Sequence, residues 1–145
     1  MNVAELTDEA LDWAVGQIDK RCAGLRWEMR ESAMCGVCIG EGIDGVIACF
    51  LTSGGFAEQI KLKKKTDAEH YSPTSAWAQG GPIMDREGIN HGRCDDGQFC
   101  AWIGFVSEYE IVPTYYGPTT LIAAMRCYVA TLLGDEIAIP KELLS

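Results

Sequence analysis

The chain has 145 residues, enough for one compact domain with a buried core, and residues 1–145 read as a single domain. Hydrophobic residues make up 48% and charged residues 23%, which argues against a disordered tail, and no apolar run approaches the ~20 residues needed to span a bilayer. A net charge of −9 disfavours general binding to nucleic-acid backbones.

The opening from Met1 to Asp12 is acidic and polar, without the basic-then-apolar order of a secretory signal, so the expectation is a cytoplasmic protein away from membranes. Thr7 is placed to cap a helix whose first turn holds Asp8 and Glu9 against the positive end of the dipole. Leu11, Val15 and Ile18 recur at helical spacing, with Trp13 and Ala14 widening the stripe, which predicts a helix over 8–20 with Trp13 as a core anchor.

From Cys22 to Gly55 short apolar pieces alternate with glycine. Cys35 to Ile39 and Val46 to Leu51 read as an antiparallel hairpin turning at Gly42–Gly45, and Phe56 to Leu62 reads as a third strand. Gly54 and Gly55 lack the order of a phosphate-cradling loop and read as a turn. Lys61, Lys63, Lys64 and Lys65 form one basic cluster, which suits a solvated sheet edge better than a phosphate site.

Seven cysteines, an odd number, fit free thiols in a reducing compartment. Cys35 and Cys38 have the spacing of a zinc knuckle, and Cys94 with Cys100 or His91 would have to complete it. No second closely spaced pair exists, so small buried thiols are the simpler account, and neither a metal nor another cofactor is expected.

The densest stretch runs from Tyr71 to Ile89. Ser72 can cap a short helix starting at Pro73 and ending near Ala78, Gly80 and Gly81 would stop it, and Pro82 would restart a second short helix from Ile83 to Glu87, closed by Gly88. Two helix N-termini would then lie close together, each with unpaired N–H groups for an anion. Trp77 offers a stacking plane, Gln79 a paired donor and acceptor, and Arg86 a fork for carboxylate or phosphate.

Beyond it, Asn90 to Gly97 reads as a polar loop, followed by strands over Gln98 to Phe105 and Ser107 to Val112. Tyr115 to Pro118 reads as a turn into the strongest helix, which starts at Pro118 or Thr119 and runs to Leu133, with Gly134 as its stop. Arg126 is the exception on its apolar side and must reach solvent, pair with a carboxylate or face a pocket. The tail from Ile137 reads as extended, with a short helical turn over Pro140 to Leu144.

Three blocks carry a resemblance: Leu11-Asp12-Trp13-Ala14-Val15; Tyr71-Ser72-Pro73-Thr74 with Trp77-Ala78-Gln79-Gly80-Gly81-Pro82-Ile83; and Gly117-Pro118-Thr119-Thr120-Leu121-Ile122-Ala123-Ala124-Met125-Arg126-Cys127. Together they make the chain similar to the NinX-like family of small phage and prophage proteins, over roughly half of its length. The resemblance implies a phage or lysogenic-host context rather than a reaction. The segment from Cys22 to Glu69 departs from the pattern, being longer and richer in cysteine and lysine.

The expected architecture is α+β: a small antiparallel sheet packed against an N-terminal helix and a long late helix, with short helices at a central Pro/Gly corner. The expected function is a phage accessory protein that binds, or sequesters, a small nucleotide-like molecule, and a homo-oligomer would raise its capacity. Tyr71, Ser72, Trp77, Gln79, Gly80, Gly81, Arg86, Trp102, Tyr115, Tyr116, Thr119, Thr120 and Arg126 are the expected ligand contacts, aromatic planes for a base and N–H groups for phosphate. No catalytic residue is assigned, because His70 and His91 belong to no recognisable triad or metal pattern. Two alternatives stay open: a small hydrolase of a phosphorylated metabolite, with Glu108 and Glu110 dividing acid and base roles, or a module that captures a host protein through exposed Trp77 and Trp102.

Overall fold

A computed structural model describes residues 1–30, 33–38, 47–51, 69–104 and 112–144. Its internal contacts gather into two compact units, one made of residues 1–18 and 72–145, the other of residues 19–71. With three α-helices and two small sheets among the described residues, the fold is α+β.

In the first unit, α1 (Asp8–Gly16) is followed in sequence by α2 (Trp77–Glu87), then β5 (Ile89–Arg93), β6 (Phe99–Ile103), β7 (Tyr115–Gly117) and α3 (Thr120–Leu133). The three strands form an antiparallel sheet in the order β5-β6-β7, and α3 packs across all of them while α1 and α2 pack on α3. The sequence of α3 explains its central place: Leu121 and the whole run from Ala123 to Ala130 are buried, so the helix is apolar nearly all round. The Thr119 hydroxyl accepts the Ile122 N–H at 3.2 Å at its start, and Gly134 stops it at φ 89°. The Tyr128 hydroxyl donates to the Ile18 carbonyl at 3.0 Å, tying α3 to the chain just past α1. The two ends of the unit's sequence lie side by side, with the Val3 N–H donating to the Asp135 carbonyl at 2.8 Å and the Ile137 N–H to that of Met1 at 3.0 Å.

Helix α1 is shorter than its apolar stripe suggests. It ends at Gly16, and Asp19 caps a separate 3-10 turn over Lys20–Cys22 by accepting the Arg21 N–H at 3.2 Å. Thr7 occupies the cap position of α1 but its side chain makes no capping bond, and the chain enters the helix through Asp8 in the left-handed region at φ 50°.

The central corner differs most from the sequence expectation. Instead of two short helices, one helix α2 runs through Gly80, Gly81 and Pro82, preceded by a turn in which the Ser72 carbonyl accepts the Ser75 and Ala76 N–H groups at 3.1 and 2.7 Å. Gly80 is there for close packing: a Cβ on it would lie 2.4 Å from the Pro73 carbonyl oxygen and 2.7 Å from Leu121 Cδ2. Tertiary contact with the Pro73 turn and α3 therefore outweighs the helix-breaking tendency of Gly-Gly-Pro. Gly88 closes α2 at φ 65°, as its position predicts.

Asn90 to Arg93 and Tyr115 to Gly117 are strands rather than loop and turn. Cross-strand pairing places them: Ile89 sits opposite Ile103 and Arg93 opposite Phe99, and Cys100 sits opposite Tyr116. Only Ile89 and Gly117 of these two strands are fully buried, so no apolar alternation marks them in the sequence.

The second unit holds a four-stranded sheet in the order β1-β2-β3-β4, from β1 (Leu25–Arg30), β2 (Ala33–Cys38), β3 (Ile47–Phe50) and β4 (Glu69–His70). The expected hairpin is present as β2 and β3, while β1, with its Leu-Arg-Trp-Glu-Met-Arg alternation, pairs antiparallel with β2, and β4 joins β3 in parallel. Tyr71 anchors the core, donating from its hydroxyl to Asp19 Oδ2 at 2.6 Å and meeting the Trp27 ring at 5.9 Å between centroids. Burial beside Cys22 and Asp19 raises the Tyr71 pKa well above the usual tyrosine range. The Gly42–Gly45 and Gly54–Gly55 turns, the Phe56–Leu62 strand, the lysine cluster, and the Ser107–Val112 strand with Glu108 and Glu110 lie outside the described residues, apart from Val112.

Candidate functional site

A cleft of about 670 Å³ opens in the first unit between the chain's opening residues, the strand β7 and α3. Its walls carry Asn2, Ala4, Thr7, Gln98, Arg126 and Asp135, together with the run from Thr114 to Pro118. The size falls within the range of small-molecule sites.

Arg126 dominates the chemistry. Its side chain rises from the buried side of α3, where the residue is only 8% exposed. Nε donates to the Leu6 carbonyl at 2.9 Å and Nη1 to the Tyr116 carbonyl at 2.6 Å, which fixes the plane of the guanidinium. A guanidinium has five N–H donors, so three remain without a protein acceptor among the described residues. Burial lowers its pKa from the usual arginine value, yet the group stays cationic at any physiological pH. Among the described residues, two backbone carbonyls stand where a buried arginine commonly has a carboxylate partner. A desolvated cation with donors to spare, on the wall of a cleft, has the chemistry to hold an anion or a carbonyl oxygen.

The other walls add complementary groups. Tyr116 is 51% exposed and offers a ring plane, while the Tyr115 hydroxyl donates to Asp135 Oδ1 at 3.3 Å. Burial and that neighbouring carboxylate raise the Tyr115 pKa, so it remains a protonated donor. Asp135 follows the glycine that ends α3 and supplies an acceptor, and Asn2, Thr7 and Gln98 supply neutral donors and acceptors.

Of the ligand residues expected from sequence, this cleft brings together Tyr115, Tyr116 and Arg126. Tyr71 belongs to the core of the second unit. Ser72 is buried, its N–H donating to Gln79 Oε1 and its hydroxyl bonded to that of Ser75, so Ser72 and Gln79 hold each other and shape the turn before α2. Trp77 opens α2 and is 58% exposed; Gly80 is pressed against Pro73 and Leu121, with Gly81 beside it; Arg86 pairs with Glu87 at 3.4 Å. Trp102 sits half-buried on β6, Thr119 is committed to capping α3, and Thr120 starts that helix. Asn2, Ala4, Thr7, Gln98, Thr114, Pro118 and Asp135 escape the sequence reading, because scattered polar residues converge only through the pairing of β7 with β6 and of the two sequence ends.

A second buried polar cluster links α1 to the turn before α2. Asp12, 4% exposed, accepts the Thr74 N–H on Oδ1 at 3.0 Å and lies 3.4 Å from the Ser72 hydroxyl through Oδ2. Burial pushes its carboxyl up to about 7, against the opposing pull of the Thr74 and Ser72 hydrogen bonds. The cluster fastens α1 to the turn before α2.

Among the described residues six cysteines are free thiols, four of them buried. No group of three or more His, Cys, Asp or Glu able to hold a metal ion occurs among the described residues, and no helix there is long and apolar enough to cross a membrane. His91 is exposed on β5 and His70 exposed at the end of β4.

The family model described as bacteriophage P22, NinX matches residues 2–131. The match runs through the cysteine- and lysine-rich middle segment as well as the three resemblance blocks. No curated protein matches the chain.

Proposed function

Since the chain belongs to the bacteriophage P22 NinX family, we propose that it is a phage accessory protein that binds, and by binding sequesters, a small nucleotide-like molecule in the Arg126 cleft. The observation that carries this reading is the buried Arg126 guanidinium, held by two backbone carbonyls, with donors to spare, in a residue that lines the cleft. Phosphate or another oxyanion satisfies those donors. The exposed Tyr116 ring supplies a face for a planar base, and Asp135 accepts from a sugar hydroxyl or an exocyclic amine. A ligand needing all three is an anion with a planar ring and a hydrogen-bond donor, which is the chemistry of a nucleotide.

The test is thermal denaturation with a panel of nucleoside mono- and triphosphates, alongside native mass spectrometry of protein purified from expressing cells. Binding raises the melting temperature as ligand exceeds Kd, and Tyr116→Ala, at an exposed position, abolishes the shift without altering the ligand-free melting temperature. No retained mass together with no shift across the panel overturns the reading. Release of inorganic phosphate in the same incubations would move it to a hydrolase. A second reading, a module that captures a host protein, is favoured by the 58% exposure of Trp77 at the head of α2. In that case Trp77→Ala abolishes capture in a pull-down while leaving the nucleotide panel unaffected.

A further inference from the structure

Cys94 and Cys100 stand apart from the other described thiols. Cys22, Cys35, Cys49 and Cys127 are buried, whereas these two are partly open to solvent. The hairpin of β5 and β6 places them together. Gly92 pairs with Cys100 and Arg93 with Phe99, and beyond the last pair the Cys94 N–H donates to the Gln98 carbonyl at 2.7 Å. Alternation then puts residues 92, 94, 98 and 100 on one face, with Cys94 and Cys100 as diagonal neighbours. Gly92 leaves the space beside Cys100 empty of side chain, since a Cβ built there lies 3.6 Å from Cys100 Sγ. Between the two thiols the chain makes a tight turn: the Gly97 N–H donates to the Cys94 carbonyl at 3.1 Å, Gly97 is left-handed at φ 85°, and Asp96 accepts the Gln98 N–H at 3.0 Å.

We infer that Cys94 and Cys100 form a redox-active dithiol that a hydroperoxide converts to an intramolecular disulfide across the β5–β6 hairpin. The hydrogen bond to Cys100, with the carboxylates of Asp96 and Asp95 nearby, raises the Cys94 thiol above its usual value. One sulfur of the pair, as its thiolate, attacks the peroxide, breaking the O–O bond and becoming a sulfenic acid while hydroxide leaves and takes up the proton that thiol had lost, giving the first water; the other sulfur then attacks the sulfenic sulfur, and the sulfenic hydroxyl leaves as the second water with that second thiol's proton. In balance, two thiols and one hydrogen peroxide give one disulfide and two waters. Each sulfur loses one electron, and the peroxide takes up both. Cys22 and Cys49 are also hydrogen-bonded to each other, but burial shields them from the oxidant. The dithiol borders the cleft, because Gln98 lines that cleft and Cys100 pairs with Tyr116.

Titration of the full chain with hydrogen peroxide, followed by alkylation and peptide mapping, tests this. The expected result is a loss of about 2 Da and a peptide joining Cys94 to Cys100, reversed by dithiothreitol. In Cys94→Ser and in Cys100→Ser, dimedone traps a sulfenic acid on the remaining thiol of the pair. A first-formed link between any other two cysteines, or separate sulfinic acids at Cys94 and Cys100 without a link, overturns the inference. The wild-type map decides the matter even where a serine variant folds poorly. It does so independently of any ligand in the cleft.

Discussion

Under the proposed function Arg126 carries two separable tasks. Its Nε and Nη1 satisfy the carbonyls of Leu6 and Tyr116, and the residue lines the cleft in which the ligand is proposed to bind. Arg126→Ala orphans both carbonyls and leaves a hole on the buried side of α3, so the unfolding free energy is expected to fall by about 2 kcal/mol or more in urea denaturation. Arg126→Lys keeps the charge but has no planar fork to span two carbonyls and a ligand together. Its expected signature is a smaller stability loss with nucleotide affinity reduced at least about tenfold by calorimetry. Equal losses of stability in the two variants would assign the arginine to the fold alone.

Asp12 gives the first unit a pH dependence of known sign. With the carboxyl raised to about 7, the folded chain holds a proton that the unfolded chain releases near pH 4. Between those values the native state binds more protons than the unfolded state, so the Asp12 contribution to stability falls as pH rises, by at most about 1.4 kcal/mol per unit, and is flat above the folded pKa. Asp12→Asn retains the Oδ1 acceptor for the Thr74 N–H, and the Ser72 hydroxyl can rotate to accept from the new amide. The measurement is the melting temperature at about pH 5 and about pH 8: the difference attributable to Asp12 should vanish in the variant, and an unchanged profile would refute the assignment.

At the level of elements, α2 is the sharpest case of packing overriding local preference. Gly80→Ala drives a methyl into the Pro73 carbonyl and Leu121, and the expected loss of about 1–3 kcal/mol outweighs the roughly 1 kcal/mol that alanine adds to a helix. Gly81→Ala meets nothing closer than Trp77 Cε3 at 3.8 Å, so propensity prevails and the variant should melt higher by an amount worth about 0.5–1 kcal/mol. Opposite signs at adjacent glycines, read by thermal denaturation, distinguish a continuous α2 from two helices broken at the pair. The same contrast shows what the sequence makes legible. α3 is readable end to end, because its cap, apolar surface and terminal glycine all agree. The hairpin of β2 and β3 is readable from its apolar pieces, and β1 was available in the alternation of Leu25, Trp27 and Met29 with Arg26, Glu28 and Arg30. β5 and β7 are not, since each owes its conformation to hydrogen bonds with β6 rather than to a buried face. In the cleft, Arg126 announces itself as a charge on an apolar stripe and Tyr115-Tyr116 as adjacent aromatics. Asn2, Thr7, Gln98 and Asp135 carry no such signal, because only the tertiary pairing of distant segments brings them to one wall.

For the whole molecule, the arrangement sets one cation in a cleft against a net charge of −9. An anionic ligand must approach through a repulsive field and then meets Arg126 at short range, where burial limits screening. Salt therefore acts oppositely on the two stages. Added salt screens the long-range repulsion and should raise the association rate of a nucleoside monophosphate about two- to threefold between about 50 and 300 mM, while the dissociation rate, governed by the contacts inside the cleft, changes little. Stopped-flow tyrosine fluorescence, with Tyr115 and Tyr116 as reporters, measures both. A polyanion makes the contrast complete: single-stranded DNA gains little from one arginine and is repelled along its length, so it should show no retention at any salt concentration. An association rate that falls with salt, in the manner of nucleic-acid binders, would mean that the field at the cleft is positive and would shift attention to a polyanionic partner.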